Sequence, residues 1–230
     1  MRTFIIGDIH GCNRALDAIL NKLQPDSTED RLILLGDLFD RGDESYEVFE
    51  TVKGLSRIYG ERFILLRGNH EDYLLQEKLT FMQKLVWERV GRKATVTSFK
   101  KHGERMEDAA PWLQKRCKLY YVGENFQCAH AGVLAEPIEV NDRNTLVHDH
   151  DLVTQNLYKG RLTVTGHIAL RSATWFMGDK KTTVKPEQGV WQDLPEKGIL
   201  CIDTGCGKGG RLTGMVIDGG KYRLESVPER

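Results

Sequence analysis

The sequence predicts an α/β fold built on parallel βαβ units, and two observations support this prediction. Six short apolar segments end beside glycine or polar residues, which is typical of strands buried on both faces. Amphipathic stretches of helical period separate the first three segments. The six segments are Thr3–Ile6, Leu32–Leu35, Phe63–Leu66, Phe126–Ala129, Leu162–Thr165 and Ile199–Ile202.

The first three strands alternate with two predicted helices. In each intervening segment, apolar residues recur at the spacing of one helical face. The face of the first helix consists of Leu16, Ile19, Leu20 and Leu23, and that of the second consists of Val48, Val52, Leu55 and either Ile58 or Tyr59. Alternating strands and helices imply parallel βαβ units, in which ligands gather beyond the carboxyl ends of the strands.

Residues 81–112 are predicted as a helical elaboration near the site. Its apolar residues, which need a surface to pack on, are Leu85, Trp87, Val90 and Phe99. The overlapping segment Arg89–Lys118 carries nine lysines and arginines against three acidic residues. Such an excess is typical of a solvated helix face, and the alternative is a basic wall beside a phosphate-bearing substrate.

The last strands are predicted to form a β-hairpin. Apolar runs at Arg211–Ile217 and Tyr222–Val227 flank the turn sequence Asp218-Gly219-Gly220-Lys221. Before the hairpin, we expect a long loop near residues 170–197, which packs over the sheet or serves as a lid or an oligomer contact. The sequence contains no linker, repeat or low-complexity tract, so we expect a single domain over residues 1–230.

Composition and charge exclude several classes of partner. The formal net charge is zero, so no global field attracts nucleic acid or an anionic membrane. No apolar run reaches the roughly 18 residues of a membrane-spanning helix, and the first residues do not resemble a signal peptide. Five cysteines without a C-x-x-C pair indicate reduced thiols. We therefore expect a cytoplasmic protein that binds neither nucleic acid nor membrane, and the oligomeric state stays open.

Each predicted strand is followed by side chains that can bind metal ions or phosphate. A single Gly-Asp pair after a strand is usually a simple turn, and a single histidine is usually structural. Six such endings together indicate one shared site instead. The residues concerned are the aspartates Asp8, Asp37 and Asp40, the histidines His10, His70, His130 and His167, and the polar residues Asn69, Arg41 and Arg67.

This set of donors suits a pair of divalent cations. Carboxylate, imidazole and amide groups bind Mn²⁺, Fe or Zn²⁺, and closely packed aspartates repel one another unless cations neutralise them. Two ions about 3.5–4 Å apart are a known arrangement for in-line attack on phosphorus. Because arginine binds phosphate bidentately, Arg41 and Arg67 beside such a pair indicate a phosphate substrate.

The motifs GDIHG, GDLFDRG, RGNHE, HAG, GH and DTG follow one another along most of the chain, from Asp8 to about Gly205. In this order they resemble the calcineurin-like metallophosphoesterases, and especially their serine/threonine protein phosphatase branch in its compact bacterial and phage form. The resemblance implies a four-layer α/β fold, in which a central β-sandwich of mixed sheets is flanked by helices. It also implies two divalent metal ions, with Mn²⁺ as the expected metal and Fe or Zn²⁺ as alternatives.

The resemblance further implies a role for each residue of the site. The implied metal ligands are Asp8, His10, Asp37, Asn69, His130 and His167, the implied catalytic pair is His70 and Asp40, and the implied substrate contacts are Arg41, Arg67 and Asn69. Asp37 would bridge the two ions, and His70, oriented by Asp40, would protonate the leaving group. A hydroxide that bridges the two metal ions would attack phosphorus directly, without a phosphoenzyme.

The expected activity is hydrolysis of phosphate monoesters, with phosphoserine and phosphothreonine of proteins, or a small phosphate ester, as substrate. The alternative is a dinucleoside tetraphosphate hydrolase, which cleaves a phosphoanhydride. That branch usually reads GNHD, whereas residues 68–71 read GNHE here, and this difference favours the phosphatase. A third interpretation, a non-catalytic metal-binding protein, conflicts with the presence of every predicted ligand and of His70.

One segment departs from the family pattern. Relatives usually carry a further phosphate-binding arginine between HAG and GH, often after a tryptophan, and the segment here reads EVNDRNTLVHDHDL. Arg143 or Arg171 is a possible substitute, and His148 or His150 lies nearer the expected position. The residue that makes this contact therefore stays open.

Overall fold

A computed structural model describes residues 1–151, 155, 158–178 and 183–229. The strands in these ranges belong to two sheets. In chain order they are β1 (Thr3–Ile6), β2 (Arg31–Leu34), β3 (Phe63–Leu66), β4 (Cys117–Lys118), β5 (Tyr120–Val122), β6 (Gln127–Ala129), β7 (Thr163–Thr165), β8 (Thr174–Phe176), β9 (Thr183–Val184), β10 (Gln192–Asp193), β11 (Ile199–Cys201), β12 (Arg211–Asp218) and β13 (Lys221–Pro228).

The helices of the described ranges flank these sheets. The α-helices are α1 (Asn13–Leu23), α2 (Ser45–Tyr59), α3 (Asn69–Leu75), α4 (Phe81–Arg89), α5 (Arg92–Lys101), α6 (Ala110–Arg116) and α7 (Arg143–Val147). Short 3-10 helices occur at Gly60–Arg62, Met106–Ala109 and Ile138–Val140. None of these helices combines the length and the apolar character that a membrane crossing requires.

Both sheets are mixed. The first has the strand order β10-β13-β12-β1-β2-β3-β4, and the second has the order β5-β6-β7-β11-β8-β9. β1, β2 and β3 are parallel, as the βαβ pattern predicts, whereas β12 pairs antiparallel with β1. The prediction of a central sandwich of mixed sheets flanked by helices is confirmed.

The six predicted strands are divided between the two sheets. β1, β2 and β3 lie in the first sheet, and β6, β7 and β11 are parallel neighbours in the second. The apolar runs in the sequence do not show which strand belongs to which sheet, because these six strands are buried on both faces in either sheet. Ligand-type residues therefore reach the site from two facing sheets rather than from one sheet edge.

Alternate residues of each strand build separate apolar layers. Ile5 and Ile33 of the first sheet face Val164 and Leu200 of the second across the sandwich. The opposite face of the first sheet, which includes Phe4, packs in a layer with α1 and α2. A strand that is buried on both sides has no polar positions in its middle, which explains the continuous aliphatic runs.

The two crossover helices bury the faces that the sequence predicts. The buried residues among those predicted are Leu16, Ile19, Leu23, Val48, Val52 and Tyr59. Ile58 is 64% exposed, so Tyr59 rather than Ile58 completes the face of α2. Gly214 on β12 leaves room for α1, because a Cβ atom there would lie 2.6 Å from Leu23 Cδ1.

The elaboration after α3 consists of α4, α5 and α6. Trp87 and Phe99 are buried there, as expected from their size. Leu85 is 54% exposed, so the prediction that it packs inward is wrong. It lies on the outer face of α4, where nothing in the described residues covers it.

The last third of the chain extends the edges of both sheets. Within residues 170–197, which were expected as a loop, β8 and β9 extend the second sheet and β10 pairs with β13 of the first. Residues 179–182 of this segment lie outside the described ranges. The predicted hairpin is present, since β12 pairs antiparallel with β13 and Asp218 lies opposite Lys221.

Candidate active site

The predicted metal ligands and the predicted catalytic pair all lie just beyond the carboxyl ends of strands. Asp8 and His10 follow β1, Asp37 and Asp40 follow β2, Asn69 and His70 open α3 after β3, His130 follows β6, and His167 follows β7. Each of these eight residues is at most 9% exposed. The two sheets thus bring together every ligand that the sequence predicts, in one buried place.

The backbone at this place is strained. Six non-glycine residues in the described ranges have positive φ, and five of them belong to the predicted site: His10, Asp37, Asp40, Arg41 and His167. L-residues rarely adopt this left-handed region, and each such residue costs of order 1–3 kcal/mol. The strain is concentrated where the side chains must point inward from tight turns.

Asp37 lies at the centre of the cluster. Its Oδ2 atom is 3.5 Å from His10 Nε2 and 3.8 Å from His70 Nε2. Its other oxygen, Oδ1, is 3.4 Å from His130 Nε2. Two groups of possible metal ligands result, His10–Asp37–His70 and Asp37–His130–His167, and Asp37 belongs to both.

Asn69 connects the second group. Its Oδ1 atom lies 2.9 Å from His167 Nδ1 and 3.2 Å from His130 Nε2. These two rings come from neighbouring strands of the second sheet, whereas Asn69 comes from the first. The amide oxygen therefore lies between the two sheets, next to two histidines that the sequence analysis also names as metal ligands.

Backbone carbonyls orient two of the imidazole rings. His10 Nδ1 lies 2.9 Å from Phe39 O, and His130 Nδ1 lies 2.8 Å from Leu35 O. A carbonyl accepts only from N–H, so each ring carries its proton on Nδ1 and turns an unprotonated Nε2 toward Asp37. Neutral imidazole with a free Nε2 is the form that binds a metal ion.

Two polar atoms of the cluster are buried without a hydrogen-bond partner in the described residues, namely Asp8 Oδ1 and His167 Nε2. The other oxygen of Asp8 accepts the backbone N–H of His167 at 2.9 Å. Gly166 is required for this approach, because a Cβ atom at that position would collide with Asp8 Oδ1. An unpaired buried acceptor is costly unless a cation satisfies it.

The pKa shifts in the cluster have the pattern of a cation site. Burial, followed by the charges of Asp203 and Asp37, raises the pKa of Asp8 well above its usual range. Burial lowers the pKa of His10 and His167 well below the usual value. Carboxylates that repel one another beside neutral imidazoles fit divalent cations, whose charge would hold the carboxylates ionised.

His70 and Asp40 form a buried pair. His70 Nδ1 lies 2.5 Å from Asp40 Oδ2, which leaves Nε2 facing the Asp37 side of the cluster. Although burial lowers the pKa of His70, the charges of Asp37 and Asp40 raise it overall above its usual value. A protonated ring of this kind can donate a proton to a leaving group near neutral pH.

The predicted arginines lie at the rim of this cluster. Arg41 Nη1 is buried and has no hydrogen-bond partner in the described residues. Arg67 Nε pairs with Asp72 Oδ1 at 2.7 Å, and Arg143 Nη1 contacts the same oxygen at 3.2 Å. His148 Nε2 lies 2.7 Å from the other oxygen of Asp72.

The structure separates the alternatives for the later arginine. Arg143 and His148 lie beside Arg67, because all three contact the buried carboxylate of Asp72. The ring of His150 lies 4.3 Å from that of His167. Arg171 is exposed. Among these four residues, Arg143 brings a permanent charge next to Arg67.

Sequence reasoning left two buried carboxylates of the site without a role. Glu71 accepts the backbone N–H groups of Asp37, Leu38 and Gly68 at 2.8, 2.8 and 3.0 Å. Burial, followed by the charge of Asp37, raises the pKa of Glu71 to about 7. The sequence shows its place in the RGNHE motif, but it does not show the three backbone N–H groups that donate hydrogen bonds to it.

Asp203, in the DTG motif, is the second such residue. It follows β11, is 2% exposed, and accepts the N–H of Gly205 at 2.9 Å. Burial raises the pKa of Asp203 to about 6, and the charge of Asp37 adds to this effect. A carboxylate at the end of a sixth strand was a usable signal, since five other strand ends had already been assigned.

The sequence profile of a family described as calcineurin-like phosphoesterase matches residues 1–210. Two curated relatives are both described as symmetrical bis(5'-nucleosyl)-tetraphosphatases. The one from Pasteurella multocida (strain Pm70) is 32% identical over 170 residues, 70% of this chain and 58% of the relative. The one from Pseudomonas fluorescens (strain SBW25) is 26% identical over 274 residues, 96% of this chain and 93% of the relative. The chain thus spans little more than half of one relative and nearly all of the other.

Two solved structures share the fold. A metallophosphoesterase from Sphaerobacter thermophilus superposes with a TM-score of 0.68 at 16% identity, over 100% of this chain and 90% of that chain. A candidate diadenosine tetraphosphatase superposes with a TM-score of 0.63 at 21% identity, over 99% of this chain and 93% of that chain. Both likenesses concern the arrangement of sheets and helices.

The relatives contradict the expected protein phosphatase activity and agree with the alternative, hydrolysis of a phosphoanhydride. The expectation came from the resemblance of the motifs to the protein phosphatase branch, and glutamate at position 71, where aspartate is usual in the tetraphosphatase branch, favoured it over the alternative. In the structure this carboxylate accepts three backbone N–H groups of the turns that carry Asp37 and Asn69. Its side chain is fully buried and bonds to the backbone of these turns, so the interactions seen for Glu71 are structural.

Proposed function

Because the chain belongs to the calcineurin-like phosphoesterase family, we propose that it hydrolyses the phosphoanhydride chain of dinucleoside tetraphosphates with the help of two divalent metal ions. The descriptions of the two relatives support this substrate class. The observation that carries the proposal is the position of Asp37, whose two oxygens face two separate groups of histidines. A carboxylate shared in this way suits a pair of cations rather than a single one.

The residues that would hold the ions divide into two sets around Asp37. Asp8 and His10 would complete the first set, and Asn69, His130 and His167 the second. Asp8 Oδ1 and His167 Nε2 support this assignment. Each is a buried atom without a hydrogen-bond partner in the described residues, and its lone pair can bind a metal ion. When bound, the ions would lower the pKa of a water molecule and draw charge from the phosphoryl oxygens.

His70 would protonate the oxygen that leaves when the anhydride breaks. Its Nδ1 atom is hydrogen-bonded to Asp40, so the ring presents Nε2 to the cluster. Donation from Nε2 would leave a neutral imidazole still hydrogen-bonded to Asp40. The leaving nucleotide would accept the proton on its terminal phosphate oxygen, which avoids a build-up of negative charge in a buried site.

The basic side chains at the rim support a long, highly charged substrate. Arg41 offers a buried Nη1 without a partner in the described part of the chain, which suits an anionic oxygen. Arg67 and Arg143 converge on the single carboxylate of Asp72, so positive charge exceeds negative charge there. A tetraphosphate has phosphoryl groups beyond the reacting one, and these can reach a second cluster of cations.

Incubation with diadenosine tetraphosphate and Mn²⁺, followed by anion-exchange separation of the nucleotides, tests the proposal. Cleavage at the central anhydride yields two molecules of ADP, whereas cleavage nearer one end yields ATP and AMP. We expect ADP as the main product. Intact dinucleotide after prolonged incubation, in a preparation that releases phosphate from simple monoesters, would overturn the proposal.

Mn²⁺ is the proposed metal, because mixed carboxylate, amide and imidazole ligands suit it. Reconstitution of the metal-free protein with Mn²⁺, Fe²⁺, Zn²⁺ or Mg²⁺, with metal content measured alongside turnover, tests this choice. We expect Mn²⁺ to give the highest turnover per bound ion. A higher value for another ion would replace Mn²⁺ and leave the ligand assignment unchanged.

A further inference from the structure

The turn between α4 and α5 lies directly against the turn that carries Asp40 and Arg41. Trp87 Nε1, on α4, donates to Asp40 Oδ2 at 2.8 Å. Thr95, on α5, donates its hydroxyl to Asp40 Oδ1 at 2.6 Å and accepts the backbone N–H of Asp40 at 2.8 Å. Gly91, between the helices, packs so closely on the Arg41 backbone that a Cβ atom there would collide with Arg41 N.

These contacts hold a conformation that is unfavourable by itself. Asp40 and Arg41 have φ values of 69° and 71°, two consecutive non-glycine residues in the left-handed region. Such a pair persists only when its surroundings fix it. The contacts of Trp87, Gly91 and Thr95 act on this turn from one helical hairpin.

The same hydrogen bonds fix the rotation of the Asp40 carboxylate. Oδ2 accepts from both Trp87 Nε1 and His70 Nδ1, and Oδ1 accepts from Thr95. Asp40, His70 and Trp87 are 1%, 2% and 7% exposed, so water does not compete for these bonds. With both oxygens held, one lone pair of Oδ2 points at His70, and the direction of the His70 ring follows from it.

None of the residues assigned in the proposed function belongs to the predicted helical elaboration at residues 81–112. We propose that it positions the proton donor, with Trp87 and Thr95 acting through Asp40 to aim His70 Nε2 at the leaving oxygen. This inference rests on the proposed role of His70. Neither Trp87 nor Thr95 is among the proposed metal ligands, and both are positioning residues rather than catalytic ones.

Two substitutions remove hydrogen bonds to Asp40: Trp87→Phe removes one, and the nearly isosteric Thr95→Val removes the two that the hydroxyl makes. Trp87→Phe removes the indole N–H, and Thr95→Val replaces the hydroxyl by a methyl group. Thr95→Ser restores the hydroxyl and serves as the rescue variant. Trp175→Phe is the matched control, since Trp175 Nε1 donates to Lys197 O at 2.9 Å on β8, outside the proposed site.

Turnover is measured on phenyl phosphate and on p-nitrophenyl phosphate with Mn²⁺. Phenolate is the poorer leaving group and needs the proton more, whereas p-nitrophenolate leaves almost unaided. We expect Trp87→Phe and Thr95→Val to lose about 10-fold in kcat on phenyl phosphate, a fraction of a full general-acid contribution, and to change little on p-nitrophenyl phosphate. KM and bound metal should stay unchanged in both variants. Thr95→Ser and Trp175→Phe should keep the wild-type ratio of kcat on phenyl phosphate to kcat on p-nitrophenyl phosphate.

A second readout does not depend on turnover. The proton between His70 Nδ1 and Asp40 gives a downfield proton NMR signal, which we expect to shift or broaden in Trp87→Phe and to stay in place in Trp175→Phe. Equal losses on both aryl phosphates, or an unchanged signal in Trp87→Phe, would overturn the inference. If aryl phosphates are hydrolysed but diadenosine tetraphosphate is not, only the proposed substrate fails. If aryl phosphates are not hydrolysed at all, the NMR signal decides.

Discussion

At the scale of single residues, the site combines chemistry that the sequence reveals with backbone geometry that it does not. Aspartate, histidine and asparagine at strand ends predict a cation site, because carboxylate, imidazole and amide groups are the side-chain ligands of many divalent metal ions. The left-handed conformations of Asp37 and Asp40 could not be predicted, since residues of this type usually avoid positive φ. Their strain is offset by contacts distant in sequence, such as that of Thr95 with Asp40.

We expect His70→Asn to separate proton transfer from metal binding. The amide cannot deliver a proton, so turnover on phenyl phosphate should fall by about 10² to 10⁴, the usual contribution of a general acid. Bound metal, measured by elemental analysis, should match the wild type, because His70 is proposed as the proton donor and does not belong to the proposed ligand set. Undiminished turnover would refute the role of His70, and loss of metal would assign it to the ligand set.

At the scale of elements, the side chain of Glu71 forms hydrogen bonds with two different loops. Glu71 opens α3 and accepts N–H groups from the turn after β2 as well as from Gly68. Gly68 has to be glycine here, because a Cβ atom would collide with Asp37 Oδ1. The Glu71 carboxylate therefore holds the loops that carry Asp37 and Asn69 to one another.

We expect Glu71→Gln to destabilise the protein by about 2 kcal/mol at pH 8, above the Glu71 pKa of about 7, because buried partners of a charged acceptor are left unsatisfied. The new amide N–H₂ would face a backbone donor in place of an acceptor. Urea unfolding measures the change. Glu50→Gln is the control, since Glu50 is exposed and its ion-pair partner among the described residues is Lys53, and it should change the free energy of unfolding by less than about 0.5 kcal/mol.

Asp72 joins α3 to α7 through Arg67, Arg143 and His148. Burial raises the pKa of Asp72, but the hydrogen bond from His148 and the arginine charges outweigh this and lower it below the usual 3.8. The stabilisation from an acid with a lowered pKa is present above its unfolded-state pKa and is lost as the pH falls through its folded-state pKa. Asp72 should therefore stabilise the fold at neutral pH and contribute less below about pH 4.

We expect Asp72→Asn to lower the free energy of unfolding at pH 7 by about 3 kcal/mol, because it leaves the cations without their buried partner. Urea unfolding of both proteins at several pH values tests this. The difference between wild type and variant should shrink as the pH falls below about 4, where the unfolded wild-type chain binds a proton at this position. A difference that stays constant down to pH 3 would contradict the ion-pair account.

An element could be predicted from the sequence when the residues that determine it are neighbours in the chain. β1, β3 and the hairpin of β12 and β13 carry their own apolar runs and turn residues, and the structure has them where the sequence places them. The division of strands between two sheets could not be predicted, since both sheets bury both faces of their strands. Thr95 was missed because its role depends on contacts with Asp40, which is distant in sequence, whereas the strand-end position of Asp203 was visible in the sequence.

At the scale of the whole molecule, the cluster joins the two sheets. His130 and His167 come from the second sheet and face Asp37 and Asn69 of the first. Below the cluster, apolar side chains of the two sheets pack in one core layer, and such packing has no preferred direction. Metal ions at the end of the sandwich would add directional bonds between the two sheets.

We expect Mn²⁺ to raise the melting temperature of the metal-free protein. Binding to the folded state alone stabilises by about 2.7 kcal/mol when free metal is about 100-fold above Kd. Asp37→Asn should abolish this increase, because the central carboxylate loses its charge. Calorimetry with and without Mn²⁺ measures both effects, and an equal increase in wild type and variant would show that the metal binds elsewhere.

The spread of the ligands along the chain has a consequence for biosynthesis. His167 and Asp203 are translated long after Asp8, so a nascent chain that has reached only β3 displays the first ligands without their partners from the second sheet. Such a chain, still on the ribosome, has no complete pair of cation sites. A pair of cation sites that needs ligands from both sheets can therefore be completed only after most of the chain has been synthesised.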